Sequence, residues 1–100
     1  MKIAASALCV AFLLAAGCGS RTANGCLAEA SERASGGDWS GALKLARRAV
    51  ELEPDNVAAL IFRATACEKC GERDLALDSA LQAVKVNPES FAAQYTLGRL

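Results

Sequence analysis

Residues 67–71 read CEKCG. Two thiols separated by two residues support two kinds of chemistry. As a dithiol they exchange disulfides; as thiolates they make half of a four-ligand metal site. The other cysteines are Cys9, Cys18 and Cys26, and the chain has no histidine. Histidine is the commonest general base and the commonest zinc ligand, so its absence removes the readiest partner for either use. The acidic residues Glu51, Glu53 and Asp55 lie close in sequence, in the pattern of a solvated turn at a helix end rather than of paired catalytic carboxylates. No glycine-rich phosphate loop is present. What Cys67 and Cys70 can do therefore depends on the element that carries them.

The chain starts MKIAASALCVAFLLAAGC, with one basic residue, Lys2, and an uncharged apolar run from Ile3 to Ala16. Acidic residues are absent before Glu29. The run is shorter than the roughly 20 residues that span a bilayer, and small residues follow it, as in a signal peptide. The segment LLAAGCGS resembles the lipobox of bacterial lipoproteins. That resemblance implies a diacylglyceryl group on the Cys18 thiol, removal of residues 1–17 and a short lipidated tether over 18–22. The family prefers Leu three places before the cysteine, where this chain has Ala15, with Leu14 one step earlier. Gly19 rather than Asp follows the cysteine, which in a Gram-negative cell implies the outer membrane, facing the periplasm. Ordinary cleavage, releasing a secreted soluble chain, is the alternative.

Eleven Lys and Arg balance eleven Asp and Glu over 100 residues. With no basic block, nucleic acid is excluded as the expected partner, and membrane attachment would rest on the lipid alone.

The remainder is organised by a repeat. GDWSGALKLARRAVELEPDN (37–56) aligns with GERDLALDSALQAVKVNPES (71–90), and seven of the twenty positions are identical. Gly37 falls on Gly71, Ala42 on Ala76, Leu43 on Leu77, Ala46 on Ala80, Ala49 on Ala83, Val50 on Val84 and Pro54 on Pro88. Leu60, Ala64 and Cys67 recur at i, i+4 and i+7, with Ile61 beside them, which predicts one apolar helical face. Gly71 predicts a left-handed helix end, and Pro54 and Pro88 forbid further propagation. Alternating runs long enough for a strand are missing. The expected fold is all-α: antiparallel helix hairpins over 23–56 and 57–90, and an incomplete third unit over 91–100.

These features resemble the tetratricopeptide repeat (TPR) family, with its 34-residue unit, Gly-acidic-aromatic turn, small residue opening the second helix and closing Pro. Gly37, Asp38, Trp39, Ala42, Ala49 and Pro54 match. Gly71, Glu72, Ala76, Ala83 and Pro88 match in the second unit, where Arg73 replaces the aromatic. The Leu-Gly pair of the first helix occurs as Leu97-Gly98, while Arg63-Ala64 and Glu29-Ala30 keep only the small residue. The resemblance implies an interaction scaffold with no cofactor and no enzymatic turnover. It implies a solenoid that would leave Phe91, Leu97 and Leu100 uncovered, to be met by further repeats, a partner's helix, or homo-oligomerisation through the incomplete third unit.

On this reading Cys67 and Cys70 lie in the last turn of a first helix. A helix C-terminus opposes thiolate formation, whereas reactive dithiols of the thioredoxin kind sit at a helix N-terminus after a strand. Lys69 would offset part of this and Glu68 would add to it. Packing is therefore the first role expected for the pair. A structural disulfide among Cys26, Cys67 and Cys70 is the second, and thiol exchange or metal binding is the competing functional class.

TPR units generally bind peptides or protein surfaces along their first helices. The residues that this implies are Leu27 and Ser31 in the first unit, Ala58, Ile61, Thr65 and Glu68 in the second, and Tyr95 and Arg99 in the third, flanked by Asn24, Ala34 and Ala92. No Lys and Asn clamp for a terminal carboxylate is found among them. The function expected is a membrane-anchored scaffold for proteins or peptides of the bacterial cell envelope. The alternative is an exported thiol protein acting through Cys67 and Cys70.

Overall fold

The computed structural model describes residues 22–100. They form five helices: α1 (Ala23–Ser35), α2 (Trp39–Leu52), α3 (Val57–Lys69), α4 (Arg73–Val86) and α5 (Phe91–Arg99). No strand occurs among the described residues. The expected signal peptide (1–17), the Cys18 lipidation site and all of the tether but Thr22 lie outside them.

Four of the five helices start where a side chain takes an orphan backbone donor. Thr22 Oγ1 accepts from the Gly25 N–H at 3.0 Å, Asp38 Oδ1 from Gly41 at 2.9 Å, Asn56 Oδ1 from Ala59 at 3.0 Å and Ser90 Oγ from Ala93 at 3.1 Å. Glu72 opens α4 without a side-chain cap. The first helices of the hairpins end alike. Gly37 and Gly71 have φ of 88° and 84°, and this left-handed turn lets the next amide reach back. Asp38 N–H donates to the Arg33 carbonyl and Glu72 N–H to the Cys67 carbonyl, both at 2.8 Å. These are Schellman closures, which satisfy carbonyls the helix leaves open. The second helices stop at Leu52 and Val86, two residues before Pro54 and Pro88.

First helices begin at 23, 57 and 91 and second helices at 39 and 73, so the 34-residue offset in sequence is an offset in structure. α1 packs on α2 and α4 on α3 as hairpins, α2 and α4 also touch the first helix that follows each, and α3 touches both α1 and α5. The arrangement is the all-α, TPR-like hairpin array that the repeat predicts.

Two buried clusters hold it together. The first runs through all five helices and includes Ala23, Cys26, Val50, Leu60, Ala83 and Ala93. The second joins Leu43 of α2 to Ala66 and Cys67 of α3 and Ala76 of α4, with Trp39, Phe62 and Leu100 packed on it. Trp39 and Phe62 meet with ring centroids 6.4 Å apart.

The incomplete third unit differs from its expectation. Phe91 is 80% exposed, but Leu97 and Leu100 are half-buried. Leu100 covers part of the second cluster, and its carbonyl accepts from Arg73 Nη2 at 2.8 Å. Arg73 stands where the first unit has Trp39, and it secures the end of α5 by a hydrogen bond rather than by a ring.

Candidate protein-binding face

The expected binding residues come from α1, α3 and α5, which neighbour one another in that order. Leu27 and Ile61 are half-buried and pack on the first cluster. They form the apolar floor between repeats and leave only part of each side chain to a ligand. Ser31 and Ala58 are exposed, as are Asn24 and Ala92, and Ala34 is half-buried. The Thr65 hydroxyl donates to the Ile61 carbonyl at 3.1 Å, so its bond is made within its own helix. Tyr95 stands out at 64% exposed, an aromatic ring with a phenol tip available to a partner.

Glu68 and Arg99 are brought together: Arg99 Nη1 donates to Glu68 Oε1 across the boundary between α3 and α5. Neither side chain is fully in water, with 26% and 35% exposed respectively. Helical spacing puts both on one flank but does not pair them. The pairing sets the two opposite charges against each other and engages Nη1 of the guanidinium, which leaves Arg99 a poorer clamp for a carboxylate. Together these residues offer a mixed surface: partly exposed aliphatics, one open tyrosine and a neutralised ion pair. Such a surface suits an apolar or aromatic peptide side chain better than a charged terminus.

The three thiols of the helical part differ in burial. Cys67 is buried in the second cluster, Cys26 is buried in the first, and Cys70 is exposed at the C-cap of α3. Burial pushes the Cys67 thiol up, and Glu72 adds to this against the smaller opposing effects of Arg47 and Arg63. Burial likewise raises Cys26, against Arg48. Lys69 holds its ammonium 5.9 Å from the centre of the Trp39 ring, a cation–π contact. Cys67 and Cys70 are free thiols. Among the described residues no group of three His, Cys, Asp or Glu side chains could hold a metal ion, and no helix is long and apolar enough to cross a membrane.

One feature escaped the sequence. An open pocket of about 420 Å³ between α1 and α2 is lined by Glu29, Arg33, Asp38, Lys44 and Leu45 among others. Arg33 bridges Glu29 at 3.5 Å and Asp38 at 3.2 Å, so the pocket's charges are largely satisfied among themselves. The Glu29–Arg33 spacing and the capping position of Asp38 were its visible signals. The cap bond from Gly41, followed by Arg33, holds the Asp38 carboxyl below the usual carboxylate range.

No protein-family profile matches the chain. It is 36% identical over 62 residues to sperm-associated antigen 1 of Mus musculus, covering 62% of this chain and 7% of that protein. It is 34% identical over 71 residues to the small glutamine-rich tetratricopeptide repeat-containing protein 2 of Mycosarcoma maydis, covering 71% of this chain and 20% of that protein. The chain thus spans a small fraction of these relatives' length. Over those 71 residues it is similar to a tetratricopeptide repeat-containing protein.

Proposed function

We propose that this chain is a lipid-tethered interaction module of the bacterial cell envelope, which holds protein or peptide partners on the face formed by α1, α3 and α5. The observation that carries the binding role is the exposed Tyr95, set beside the Glu68–Arg99 pair where successive first helices adjoin. Similarity to a repeat-containing relative supports the same role. The tether rests on the apolar segment and AAGC at 15–18. Catalysis has no part in the proposal. The rival thiol-exchange reading is weakened by burial of Cys67 and by the raised pKa of its thiol, since the thiolate is the reactive species.

Two substitutions test the two halves separately. Cys18→Ser should abolish metabolic lipid labelling and leave residues 1–17 uncleaved by the lipoprotein peptidase. Normal labelling of that variant would refute the tether. Tyr95→Ala should remove most of the proteins captured from solubilised envelope by the wild-type chain while leaving its circular dichroism unchanged. Undiminished capture would refute the binding face.

A further inference from the structure

The two buried clusters lie at opposite ends of the hairpins. The first draws on the starts of α1, α3 and α5 through Ala23, Ala59 and Ala93, and on the last turns of α2 and α4 through Val50 and Ala83. The second draws on the first halves of α2 and α4 through Leu43 and Ala76, and on the ends of α3 and α5 through Cys67 and Leu100. The array therefore has two rims, and they are finished differently. At the first rim α2 ends on Leu52, α4 ends on Val86 and α5 begins on Phe91, which are 36%, 40% and 80% exposed. At the second rim α3 ends on Lys69, α4 begins on Arg73 and α5 ends on Arg99.

We infer that the first rim rests on the lipid bilayer, with the Phe91 ring among zwitterionic headgroups and Leu52 and Val86 at their boundary. The inference rests on the tether proposed above. The chain enters the array at Thr22, the cap of α1, and so on this rim. Cys18 is four residues earlier, a stretch of at most about 14 Å. The 13 residues of α1 carry the second rim about 20 Å further off. A lipid on Cys18 therefore brings the first rim to the bilayer and cannot bring the second there in its place. Helical side chains tilt toward the N-terminus of their helix, so at the first position of α5 the Phe91 ring leans outward from the rim. Ala23 and Val57 hold the same position in the earlier units and pack on the first cluster, whereas Phe91 is left in the open. Phe and Leu are the apolar side chains that helices commonly set into a membrane interface. The turns beside them carry Glu53, Asp55 and Glu89. A negatively charged leaflet repels these carboxylates, which selects a zwitterionic surface. Tyr95 stands one turn further along α5, so the α1–α3–α5 face stays open to a partner.

The test uses the full chain as processed in the cell, purified from membranes and reconstituted in phosphatidylcholine vesicles with brominated acyl chains. Its mass establishes whether it is acylated. Trp39 is the single tryptophan and belongs to the second rim, so its emission should fall by less than about a tenth. In the Trp39→Phe, Phe91→Trp chain the emission should fall by about half or more and shift to the blue. Raising phosphatidylglycerol to about half of the lipid at low salt should weaken that quenching roughly twofold. A second readout keeps Trp39 in place. On vesicles the amides of 87–92 should exchange several times more slowly in the wild type than in Phe91→Ser, while those of 70–72 exchange alike. In an acylated chain, equal quenching at the two positions, quenching of Trp39 alone, or protection that survives Phe91→Ser would overturn the inference and leave the tether standing. Quenching that grows with phosphatidylglycerol would overturn it too, because the acidic turns would then face away from the lipid. A mass without acyl groups would refute the tether, and the inference would fall with it.

Discussion

Arg63 Nε donates to Ser79 Oγ at 2.8 Å, and the same hydroxyl donates to the Leu75 carbonyl at 2.9 Å. Ser79 is only 1% exposed, so a guanidinium on α3 is tied to α4 through a hydroxyl sealed between the helices. Ser79→Ala would leave the Arg63 Nε–H without this acceptor. We expect a loss of about 1–2 kcal/mol in urea unfolding. The Arg63→Met, Ser79→Ala double variant should lose less than the two single variants together, because each removes the same bond. Strict additivity would show that the bond contributes nothing.

Gly71 and Gly98 make opposite demands. Gly71 has φ of 84°, and a Cβ there would meet nothing within 4 Å, so the penalty of Gly71→Ala is purely conformational. It should destabilise by about 1 kcal/mol, and Gly71→Asn by less, since Asn tolerates the left-handed region better. Gly98 lies in α5 with equally open surroundings. Gly98→Ala should stabilise by roughly 0.5–1 kcal/mol through helix propensity and a less flexible unfolded chain. Thermal melts of the three variants decide both.

The buried thiols predict an alkaline weakness. Burial raises the Cys26 and Cys67 thiols above the ordinary value of 9.0. The unfolded chain therefore releases these protons first, and stability present below pH 9 falls as pH climbs from there toward the folded pKa values. Cys67→Ala should flatten part of that slope. Cys67→Ser should lower stability at neutral pH by about 1–3 kcal/mol. Cys70→Ser, at an exposed cap, should change it by less than about 0.5 kcal/mol. Cys70 should also react first with a thiol reagent in the native protein.

Asp38 works in the opposite direction at low pH. Its carboxyl is held below 3.8 by the Gly41 N–H and by Arg33. Its contribution is present above that value and disappears as pH falls through the folded pKa, when the cap and the Arg33 bond lose their anion. Asp38→Asn keeps an acceptor for Gly41 but carries no titrating charge. Melts between pH 5 and pH 2 should therefore show a shallower decline for Asp38→Asn than for the wild type.

The hairpins were legible because their signals are local and recur at a fixed offset. Gly37 and Gly71, Pro54 and Pro88, and the alanines at 42, 46, 49, 76, 80 and 83 mark helix ends and facing sides without any tertiary knowledge. Burial of Cys67 followed from its spacing to Leu60 and Ala64. The site was less legible. Glu68 and Arg99, like Arg63 and Ser79, meet through long side chains whose reach depends on how neighbouring helices tilt. Nor do those pairs repeat: the first unit has Glu29 and Leu45 where the second has Arg63 and Ser79. Lys69 likewise meets the Trp39 ring of the preceding unit, a contact that spacing alone does not show. Cys18 lies outside the described residues.

Among the described residues, twelve of the seventeen buried apolar side chains are alanine. A methyl group has no rotamer to exchange. A push on one hairpin therefore cannot be absorbed by side chains settling into new positions, as it can in a core of leucine and methionine. It must pass to the next hairpin as a tilt of whole helices. A ligand that wedges between α3 and α5 would accordingly be felt as a change in the curvature of the array, with the interior contacts of each hairpin kept intact.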